Sequence, residues 1–527
     1  MAEAAQEHYK KTGQPCNGYG QHNDSGLPDG LRETAAPPVA KGEQQLTALS
    51  YAIRARVVCK YLGQLGLVVT ALTIVPMAVA FATGDSTGGL RYVVVIGILG
   101  GASGLASRLP KPSHVQSNEA MAATALAFVL TPLIMTYPLM SAGAGFVDTL
   151  FEAVSGITTT GLSTLPDIAG QPPAFLFARS WMQWYGGLGI VVLSVGLLAG
   201  HHVASRRLFE PDATSENIVT TTRTHARRVL LVYLILTGLG LVAMSLTSVN
   251  PLAAVTHTLS SVSTGGFSTY TDSLAGAAGT GAAWVVTLLS FCGAIALPLY
   301  YWTYLRGFKQ AFADPELRAL FLVCLALVTA LFIAFDTRMP AVQALKHAVV
   351  MGISAQTTTG YSSLPVDHLS AIVKTLLMGA MLVGGSVGST AGGIKLLRAL
   401  IALRVMSLTI RRTAVPAHAV VQSRLGERVL ESEDIERAVV LILLYLGLVV
   451  LSWLPFVAAG FAPLDALFEV ISATATVGLS TGISHAHLHP ALKGILCFDM
   501  LAGRLEIIAL LVLLYPGTWF GKKAESI

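Results

Sequence analysis

Charged residues are what this sequence has least of. Only 12% of its 527 residues are Asp, Glu, Lys or Arg, whereas 53% are hydrophobic and the mean hydropathy is +0.64. In a water-soluble globular protein about a quarter of the residues are charged, so this balance excludes that class. The composition therefore predicts a protein that is embedded in a lipid bilayer.

Cysteine is scarce too, and the patterns of several functional classes are missing. The five cysteines show no C-x-x-C spacing, which argues against a disulfide framework or a structural zinc site. The sequence contains no H-E-x-x-H motif and no facing pair of acids, which an intramembrane enzyme would need. The net charge of +5 is divided among short clusters, unlike the basic patch of a nucleic-acid-binding protein. We predict no enzyme activity, no cofactor and no nucleic-acid partner.

Apolar runs fill the chain from about residue 60 onward. Roughly ten of them are long enough to cross a bilayer, and they begin near Tyr61, Tyr92, Ala120, Phe175, Val229, Ala283, Leu320, Ile372, Val439 and Leu492. Residues 1–48 are instead rich in Gly, Gln, Asn, Asp, Pro and Glu, a composition typical of disorder. We predict a disordered cytoplasmic tail and then a multi-pass protein of the cell (plasma or inner) membrane.

Lys and Arg accumulate in the short loops of one side, for example around Arg54, Arg108, Arg306 and Arg411. Cytoplasmic loops carry this excess in membrane proteins. With an even number of helices, both termini are expected in the cytoplasm. The exceptions on the opposite side are Arg91, Arg179, Arg338 and Lys346.

Four short segments, at 146–163, 251–268, 341–362 and 463–480, end in a shared pattern. Each has a Ser, a Thr four residues later, a Gly two further on, an apolar or aromatic residue, and a Ser. The copies run over Ser155–Ser163, Ser260–Ser268, Ser354–Ser362 and Ser472–Ser480. Recurrence at intervals of roughly 100 residues predicts a fourfold internal repeat. Asp148 and Asp465 match upstream and predict capped helix starts.

These segments are too short to span the bilayer, so each repeat is predicted as helix, short re-entrant helix, glycine-centred loop and helix. The fold expected is an all-α polytopic membrane protein. Four pseudo-symmetric membrane-pore-membrane repeats surround one ion pore, preceded by two extra transmembrane helices. The boundaries expected are 49–115 for the two accessory helices, then 116–205, 206–310, 311–412 and 413–527 for the repeats, the last including the C-terminus.

Irregular backbone at membrane depth is tolerated only where protein buries it or water reaches it. Four loops around one axis meet that condition, and their carbonyls can replace the hydration shell of a monovalent cation. The alternative, tight helix packing through small residues, does not require four copies at one spacing. The predicted ion-binding filter, for K+, comprises Thr159, Thr160, Gly161, Thr264, Gly265, Gly266, Thr358, Thr359, Gly360, Thr476, Val477 and Gly478.

The residues resemble the Trk/Ktr/HKT superfamily of potassium transporters, and within it the TrkH-like branch. Beyond the four loops, the resemblance rests on Gln183-Trp-Tyr-Gly-Gly-Leu-Gly-Ile190, on the glycine-rich stretch Gly384 to Lys395, and on Gly503-Arg-Leu-Glu-Ile507. It covers roughly residues 60 to 520. It implies a homodimer with one pore per subunit and a cytosolic nucleotide-binding regulatory ring. Glycine in all four loops implies potassium selectivity, and Gly265 departs from the residues of the other copies.

The stretch from Gly384 to Lys395 should interrupt its helix, since each glycine weakens a helix by roughly 1 kcal/mol. Leu396 after Lys395 disfavours the alternative of a phosphate-binding loop. The resemblance implies a flexible gate beneath the filter. The predicted gate residues are Gly384, Gly385, Gly388, Gly392, Gly393, Lys395 and Arg504.

Arg504 lies within an apolar run, where an isolated charge costs about 2.5–3.5 kcal/mol. Glu506 or Asp499 could be its buried partner, whereas the resemblance implies a place at the pore, against the gate. Glu152 and Glu469 are interpreted as capping or surface acids, with attraction of cations at the outer mouth as the alternative. The histidines at 485, 487 and 489 are interpreted as an external loop.

The function predicted is potassium uptake through a carbonyl-lined filter gated by the glycine-rich loop. One alternative keeps the fold and changes the ion, giving a sodium or weakly selective cation transporter, or a cation-coupled symporter. An intramembrane enzyme and a scaffold subunit without transport are further alternatives.

Overall fold

The computed structural model describes residues 52–112, 115–201, 218–247, 250–277, 281–336, 339–414, 424–426 and 428–520. The predicted tail, residues 1–48, lies outside these ranges, as do Arg206, Arg207 and Arg338. Two helices come first, α1 (Ala55–Ala82) and α2 (Ser86–Ser107). They form a hairpin whose turn ends at Asp85, which caps α2 by accepting the N–H of Gly88 at 2.8 Å.

Four units follow, each with a long helix, a short helix, a loop and a further helical segment. The first has α3 (Ser117–Leu139), α4 (Phe146–Ile157) and α5 (Pro173–His201). The second has α6 (Ile218–Thr247), α7 (Pro251–Val262), α8 (Ala282–Ala294), α9 (Leu297–Arg306) and the single turn α10 (Phe308–Ala311).

The third unit has α11 (Pro315–Asp336), α12 (Ala341–Gln356), α13 (Ala371–Val383) and α14 (Leu396–Arg412). A small antiparallel pair, β1 (Arg424–Leu425) with β2 (Arg428–Val429), leads into the fourth. That unit has α15 (Ser432–Ala458), α16 (Pro463–Thr474), α17 (Pro490–Arg504) and α18 (Ile508–Leu514). Short 3-10 turns lie at Met140–Ala142, Ser273–Ala277 and Pro516–Thr518. The predicted all-α polytopic fold is confirmed.

The long helices ahead of the loops differ from the segments after them. Within the described residues, six helices are long and apolar enough to cross a membrane: α1, α2, α3, α6, α11 and α15. All ten predicted runs lie in helices, but in the last three units the segment after the loop is interrupted. The break between α8 and α9 bends the chain by 84°, glycines separate α13 from α14, and two residues of positive φ separate α17 from α18.

The four short helices begin where the repeat predicts, at Phe146, Pro251, Ala341 and Pro463. The prediction that Asp148 and Asp465 cap two of them is wrong. The caps are Gly145 and Ala462, and each aspartate lies inside the first turn. Their carboxylates make tertiary contacts instead: Asp148 accepts the Thr164 hydroxyl at 2.7 Å and pairs with Lys493 at 2.5 Å.

Two ion pairs join neighbouring units at the ends where the short helices start. Lys493, on the first turn of α17, reaches Asp148 on α4. In the same way Lys374, on the first turn of α13, reaches Asp465 on α16 at 2.7 Å. The third unit is thereby held to the fourth and the fourth to the first, which helps to close the units into a ring.

Serine and threonine are abundant in the short helices although these helices are almost completely buried. Their hydroxyls donate to backbone carbonyls one turn earlier, as in Thr158 to Val154 (2.7 Å), Thr258 to Ala254 (2.7 Å) and Thr474 to Val470 (2.8 Å). A hydroxyl bonded in this way needs no water. The polar sequence of the short helices is therefore compatible with membrane depth.

Glycines let the segments after the loops approach the ends of the short helices. A β-carbon on Gly186 would lie less than 3.0 Å from the carbonyl oxygen of Ile157, the last residue of α4. Gly293 stands in the same relation to Val262, and Gly503 to Thr474. Because backbone atoms oppose each added carbon, these contacts admit only glycine.

We expect Gly503→Ala to destabilise the protein by about 1–3 kcal/mol, since an added methyl group would overlap the backbone of Thr474. Gly494→Ala, on the same helix, is the matched control because nothing lies within 4 Å of its added carbon. Thermal unfolding in detergent should give a lower midpoint for Gly503→Ala only. Equal midpoints for the two variants would contradict this packing.

Candidate ion-binding site

The four loops start from helix ends that close in the same way. In each, the N–H of the residue after the motif threonine bonds to the carbonyl of the motif's first serine. The bonds are Thr160 to Ser155 (2.9 Å), Gly265 to Ser260 (2.7 Å), Thr359 to Ser354 (2.9 Å) and Val477 to Ser472 (2.8 Å). The pseudo-symmetry of the sequence therefore extends to the backbone of the loops.

The motif threonine adopts a left-handed conformation in every loop. Its φ is +54° at Thr159, +52° at Thr264, +55° at Thr358 and +50° at Thr476. Glycine or asparagine usually fills this position after a helix, and strain of this kind costs about 1–3 kcal/mol per residue. Threonine in all four copies indicates that its side chain has a use.

The motif glycines bring the loops together in a closed ring. A β-carbon on Gly161 would lie less than 3.0 Å from the carbonyl oxygen of Gly265 in the second loop. Gly266 faces the Thr359 carbonyl in the same way, Gly360 the Val477 carbonyl, and Gly478 the Thr160 carbonyl. Each loop thus meets the next and the fourth meets the first, so all twelve predicted filter residues belong to one cluster.

The hydroxyls of the four motif threonines differ in their partners. The hydroxyls of Thr159 and Thr476 are buried and have no hydrogen-bond partner among the described residues. Thr264 donates to the Thr390 hydroxyl at 3.2 Å, and the Thr358 hydroxyl accepts the N–H of Gly392 at 2.7 Å. Two of the four hydroxyls are therefore engaged by the glycine-rich stretch.

Three buried side chains hold the outer ends of the loops. Glu152 accepts the Ser163 hydroxyl at 2.5 Å, and Glu469 accepts that of Ser480 at 2.8 Å. His257 takes the same place in the second unit, 3.1 Å from the hydroxyl of Ser268. All three lie three residues before the first motif serine, and the last serine of each motif is the one that they bind.

The interpretation of Glu152 and Glu469 as capping or surface acids is wrong, because both side chains are fully buried. One carboxylate oxygen of Glu152 binds loop groups and the other pairs with Arg179, whereas both oxygens of Glu469 bind loop hydroxyls and N–H groups. The spacing of these acids in the sequence could have indicated that they lie against the loops. Each acid precedes its motif serine by three residues and so lies one helical turn away, on the same face.

The third unit has Met351 at the position of these anchors and uses other contacts. Tyr361 donates its hydroxyl to the carbonyl of Phe267 at 3.1 Å, and the N–H of Ser362 bonds to the Ser273 hydroxyl at 3.1 Å. The third loop is thus tied to the second unit. The backbone of the ring is pseudo-symmetric, but the side chains that hold the loops differ from unit to unit.

Arg179 is buried behind the first two loops. Its guanidinium pairs with Glu152 at 2.7 Å and lies over the Phe267 ring, 3.7 Å from the centroid. This explains why a basic residue appears on the side that the charge distribution assigns to the exterior. The sequence indicated it only as an exception to that distribution.

Gln183, four residues later on α5, contacts the second loop directly. Its amide donates to the Gly265 carbonyl at 2.5 Å and accepts the N–H of Phe267 at 3.2 Å. Sequence reasoning used this residue only as the start of a motif. Two long polar side chains spaced four apart in an apolar helix share one face, and that spacing was the available signal for both.

The predicted interruption from Gly384 to Lys395 is present between α13 and α14. Gly384, Gly388, Gly393 and Lys395 have φ between +69° and +77°. The stretch contacts the ring and the segment after the second loop: Gly392 donates to the Thr358 hydroxyl, and Thr390 donates to the Gly293 carbonyl at 3.0 Å. A β-carbon on Gly392 would overlap Ala475 and Thr476.

Arg504 is 2% exposed and contacts this stretch. It donates to the carbonyl of Thr390 at 2.8 Å and to that of Gly186 at 3.2 Å. The expected partners Glu506 and Asp499 are used elsewhere, Glu506 by Lys395 at 2.9 Å and by Arg398, and Asp499 by the Ser452 hydroxyl at 2.6 Å. Among the described residues, no carboxylate forms an ion pair with Arg504.

The glycine-rich stretch is also held from its other side. Glu316, in the first turn of α11, accepts the N–H of Val387 at 2.8 Å. Six of the seven predicted gate residues thus lie on this stretch, and the seventh, Arg504, bonds to it. The histidines at 485, 487 and 489 are exposed, and no cluster of metal-ligating side chains occurs in the part of the chain that is described.

Comparisons with known proteins agree with this architecture. The model of the TrkH family, described as a cation transport protein, matches residues 91–516. The potassium uptake protein TrkI of Halomonas elongata is 33% identical over 408 residues, covering 75% of this chain and 82% of its own. A cation transporter of Methanocaldococcus jannaschii is 30% identical over 414 residues, covering 77% of this chain and 84% of its own.

A solved structure also has the same fold. The crystal structure of the potassium transporter TrkH from Vibrio parahaemolyticus superposes with a TM-score of 0.78 at 23% identity. The alignment covers 89% of this chain and all of that one. At this identity the match concerns the arrangement of the helices.

We expect Glu152→Ala to destabilise the protein by about 3–5 kcal/mol, because Arg179 would remain buried without its carboxylate. Thermal unfolding in detergent measures the change, and Asp367→Asn, an exposed carboxylate, is the control. Combining Glu152→Leu with Arg179→Met removes both charges and should cost less than Glu152→Ala. An unchanged midpoint for Glu152→Ala would contradict the anchoring role.

Proposed function

Because the chain belongs to the TrkH family of cation transport proteins, we propose that it takes up potassium across the cell membrane through a filter formed by its four loops. The filter comprises the twelve residues from Thr159 to Gly161, Thr264 to Gly266, Thr358 to Gly360 and Thr476 to Gly478. The ion is the transported substrate, and no catalytic step is required.

The observation that carries this proposal is the closed ring of glycines against carbonyls. Four backbone carbonyls, of Thr160, Gly265, Thr359 and Val477, belong to this ring, each against the glycine of the preceding loop. Rings of backbone carbonyls replace the hydration shell of potassium in selective pores. The hydroxyls of Thr159 and Thr476, which have no partner among the described residues, would supply further oxygens.

The short helices strengthen the site electrostatically. Each of the four ends at the loop that it precedes, so the negative ends of the helix dipoles lie next to the ring. A partial negative charge there favours a cation and opposes an anion. The membrane potential then provides the driving force, at about 2.3 kcal/mol per charge per 100 mV.

The stretch Gly384 to Lys395 is the proposed gate, and its contacts support a closed state. Thr390 and Gly392 engage two threonine hydroxyls from below, so an ion leaving the ring would meet this stretch. Arg504 binds the carbonyl of Thr390 and adds a positive charge below the ring. Opening requires the Arg504, Thr358 and Glu316 bonds to the stretch to be exchanged or broken.

A sodium or weakly selective cation transporter is the second candidate function. The observation that favours it is Gly265, where the second loop has no side chain at the position that Thr160, Thr359 and Val477 fill in the others. The ring is therefore only pseudo-symmetric, which relaxes its discrimination against sodium. A cation-coupled symporter is compatible with the same site.

The resemblance also supports an assembly. We propose a homodimer with one pore per subunit and a cytosolic nucleotide-binding regulatory ring. That ring would contact the basic side of the chain, where α9 ends at Arg306 and α14 at Arg412. Both termini would lie on this side, and the repeat boundaries proposed are those expected from the sequence.

We expect the chain to restore growth and potassium uptake in potassium-starved cells that lack their own systems. Gly360→Ser should lose the preference for potassium over sodium, because its added side chain would overlap the Val477 carbonyl. Gly482→Ser is the matched control, since Gly482 has a similar φ of +87° but nothing within 4 Å. Uptake of labelled potassium and of labelled sodium measures the transport and the preference for potassium. A wild type that carries sodium equally well supports the second candidate.

We expect Arg504→Ala to raise flux about tenfold or more, since a hydrogen bond from a charged group is worth about 1.5–3 kcal/mol and here it holds the gate closed. Proteoliposome flux of labelled potassium is the measurement. Arg437→Ala, which removes an exposed arginine from α15, is the control. Flux that stays at the wild-type level in Arg504→Ala would assign this residue a structural role only.

A further inference from the structure

Gln183 stands out because no other polar side chain of α5 binds two backbone groups of one loop in the described residues. It is fully buried, and its amide uses its nitrogen for the Gly265 carbonyl and its oxygen for the N–H of Phe267. These two groups flank Gly266, the motif glycine. Gln183 therefore fixes the backbone on both sides of the point where the second loop joins the ring.

The place of Gln183 explains why the second loop has glycine at position 265. Gly265 is not among the residues of positive φ, so its backbone conformation is open to any side chain. A β-carbon there would lie 2.5 Å from the amide oxygen of Gln183 and 2.8 Å from its nitrogen. A side chain is excluded at position 265 because the amide of Gln183 occupies the space for it, and not because of the backbone conformation.

The other loops fill the corresponding position with a residue of their own. Thr160 in the first loop exchanges a hydroxyl contact with Thr158 at 2.8 Å, and Thr359 in the third does so with Thr357 at 2.8 Å. Val477 in the fourth loop is completely buried among apolar side chains. These loops are braced from within, whereas the second is braced by a helix of the neighbouring unit.

The carbonyl that Gln183 binds belongs to the ring. Gly265 presents its oxygen to Gly161, as Thr359 does to Gly266. Among the described donors, no N–H or O–H group bonds to the carbonyls of Thr160, Thr359 or Val477. Gln183 therefore sets the orientation of one ring carbonyl, whose second lone pair stays open to the ion, while the other three carbonyls have no such support.

We propose that Gln183 is a specificity-determining positioning residue that replaces the missing side chain of the second loop and holds the Gly265 carbonyl at the distance suited to potassium. The proposal rests on the proposed function of the loops. Without the clamp, the Gly265–Gly266 segment is free to move inward, and a ring that contracts accepts the smaller sodium ion more readily.

Three single substitutions test the clamp, two at Gln183 and one at Gly265. Gln183→Ala removes it and should lower the potassium-to-sodium permeability ratio about fivefold to tenfold, equivalent to about 1–1.4 kcal/mol. Gly265→Thr gives the second loop the residue of the first and third, but it collides with the amide and should lower the ratio as well. Gln183→Glu keeps the acceptor for Phe267 and loses the donor to Gly265, so its ratio should also fall.

The double variant Gln183→Ala with Gly265→Thr tests whether a threonine side chain can replace the glutamine amide. The threonine side chain then enters the space that the amide has left, and the ratio should recover above that of either single variant. Residues that interact in this way give strongly non-additive effects. Bi-ionic permeability of the full-length protein in proteoliposomes measures the ratio, and Gln171→Ala, in the loop after the first filter, is the control.

The outcomes separate this proposal from the proposed function. A wild type that favours potassium, together with recovery in the double variant, supports the clamp. A ratio unchanged in both Gln183→Ala and Gln183→Glu overturns it, and so does a double variant no better than Gly265→Thr. A wild type without preference for potassium overturns the filter assignment itself. A purely structural role would lower thermal stability in the single variants and leave the ratio unchanged.

Discussion

The rest of this structure depends on one constraint, which is that backbone carbonyls at membrane depth need a partner. In four places the chain leaves the helical conformation inside an apolar domain, where unpaired carbonyls cost several kcal/mol each. In the loops, the carbonyls of Thr160, Thr359 and Val477 accept no N–H or O–H group of the described residues, and that of Gly265 accepts only the Gln183 amide. Under the proposed function, an ion in the ring is the missing partner, so the requirement of the fold and that function coincide.

The surroundings of the ring follow from the same constraint. Left-handed threonines turn the chain out of the short helices, and buried acids or a histidine take up the hydroxyls at the outer ends. Glycines such as Gly186 and Gly503 let the flanking helices approach those helix ends. The outer serines and Thr390 are thus paired, whereas the hydroxyls of Thr159 and Thr476 between them have no partner among the described residues. The carbonyls of Thr390 and Gly186 accept hydrogen bonds from Arg504 and so stabilise its charge.

Pseudo-symmetry leaves room for individual solutions. The backbone of the loops repeats four times, but the outer anchor is an acid in two units, a histidine in one and absent in the third, where Tyr361 and Ser362 reach the second unit instead. The second loop is braced by Gln183 from the first unit. Because such contacts join neighbouring units, a change in one loop should also alter the loop beside it.

The sequence by itself determined the membrane location, the fourfold repeat, the starts of the short helices and the break at Gly384 to Lys395, because hydropathy, proline and glycine act locally. Only the tertiary structure decided which polar groups meet. It corrected Asp148 and Asp465 from caps to contacts between segments, buried Glu152 and Glu469 behind the loops, and replaced the carboxylate expected beside Arg504 with carbonyls. Such pairings join residues up to several hundred positions apart, and a hydrogen bond leaves no periodic signal in a single sequence.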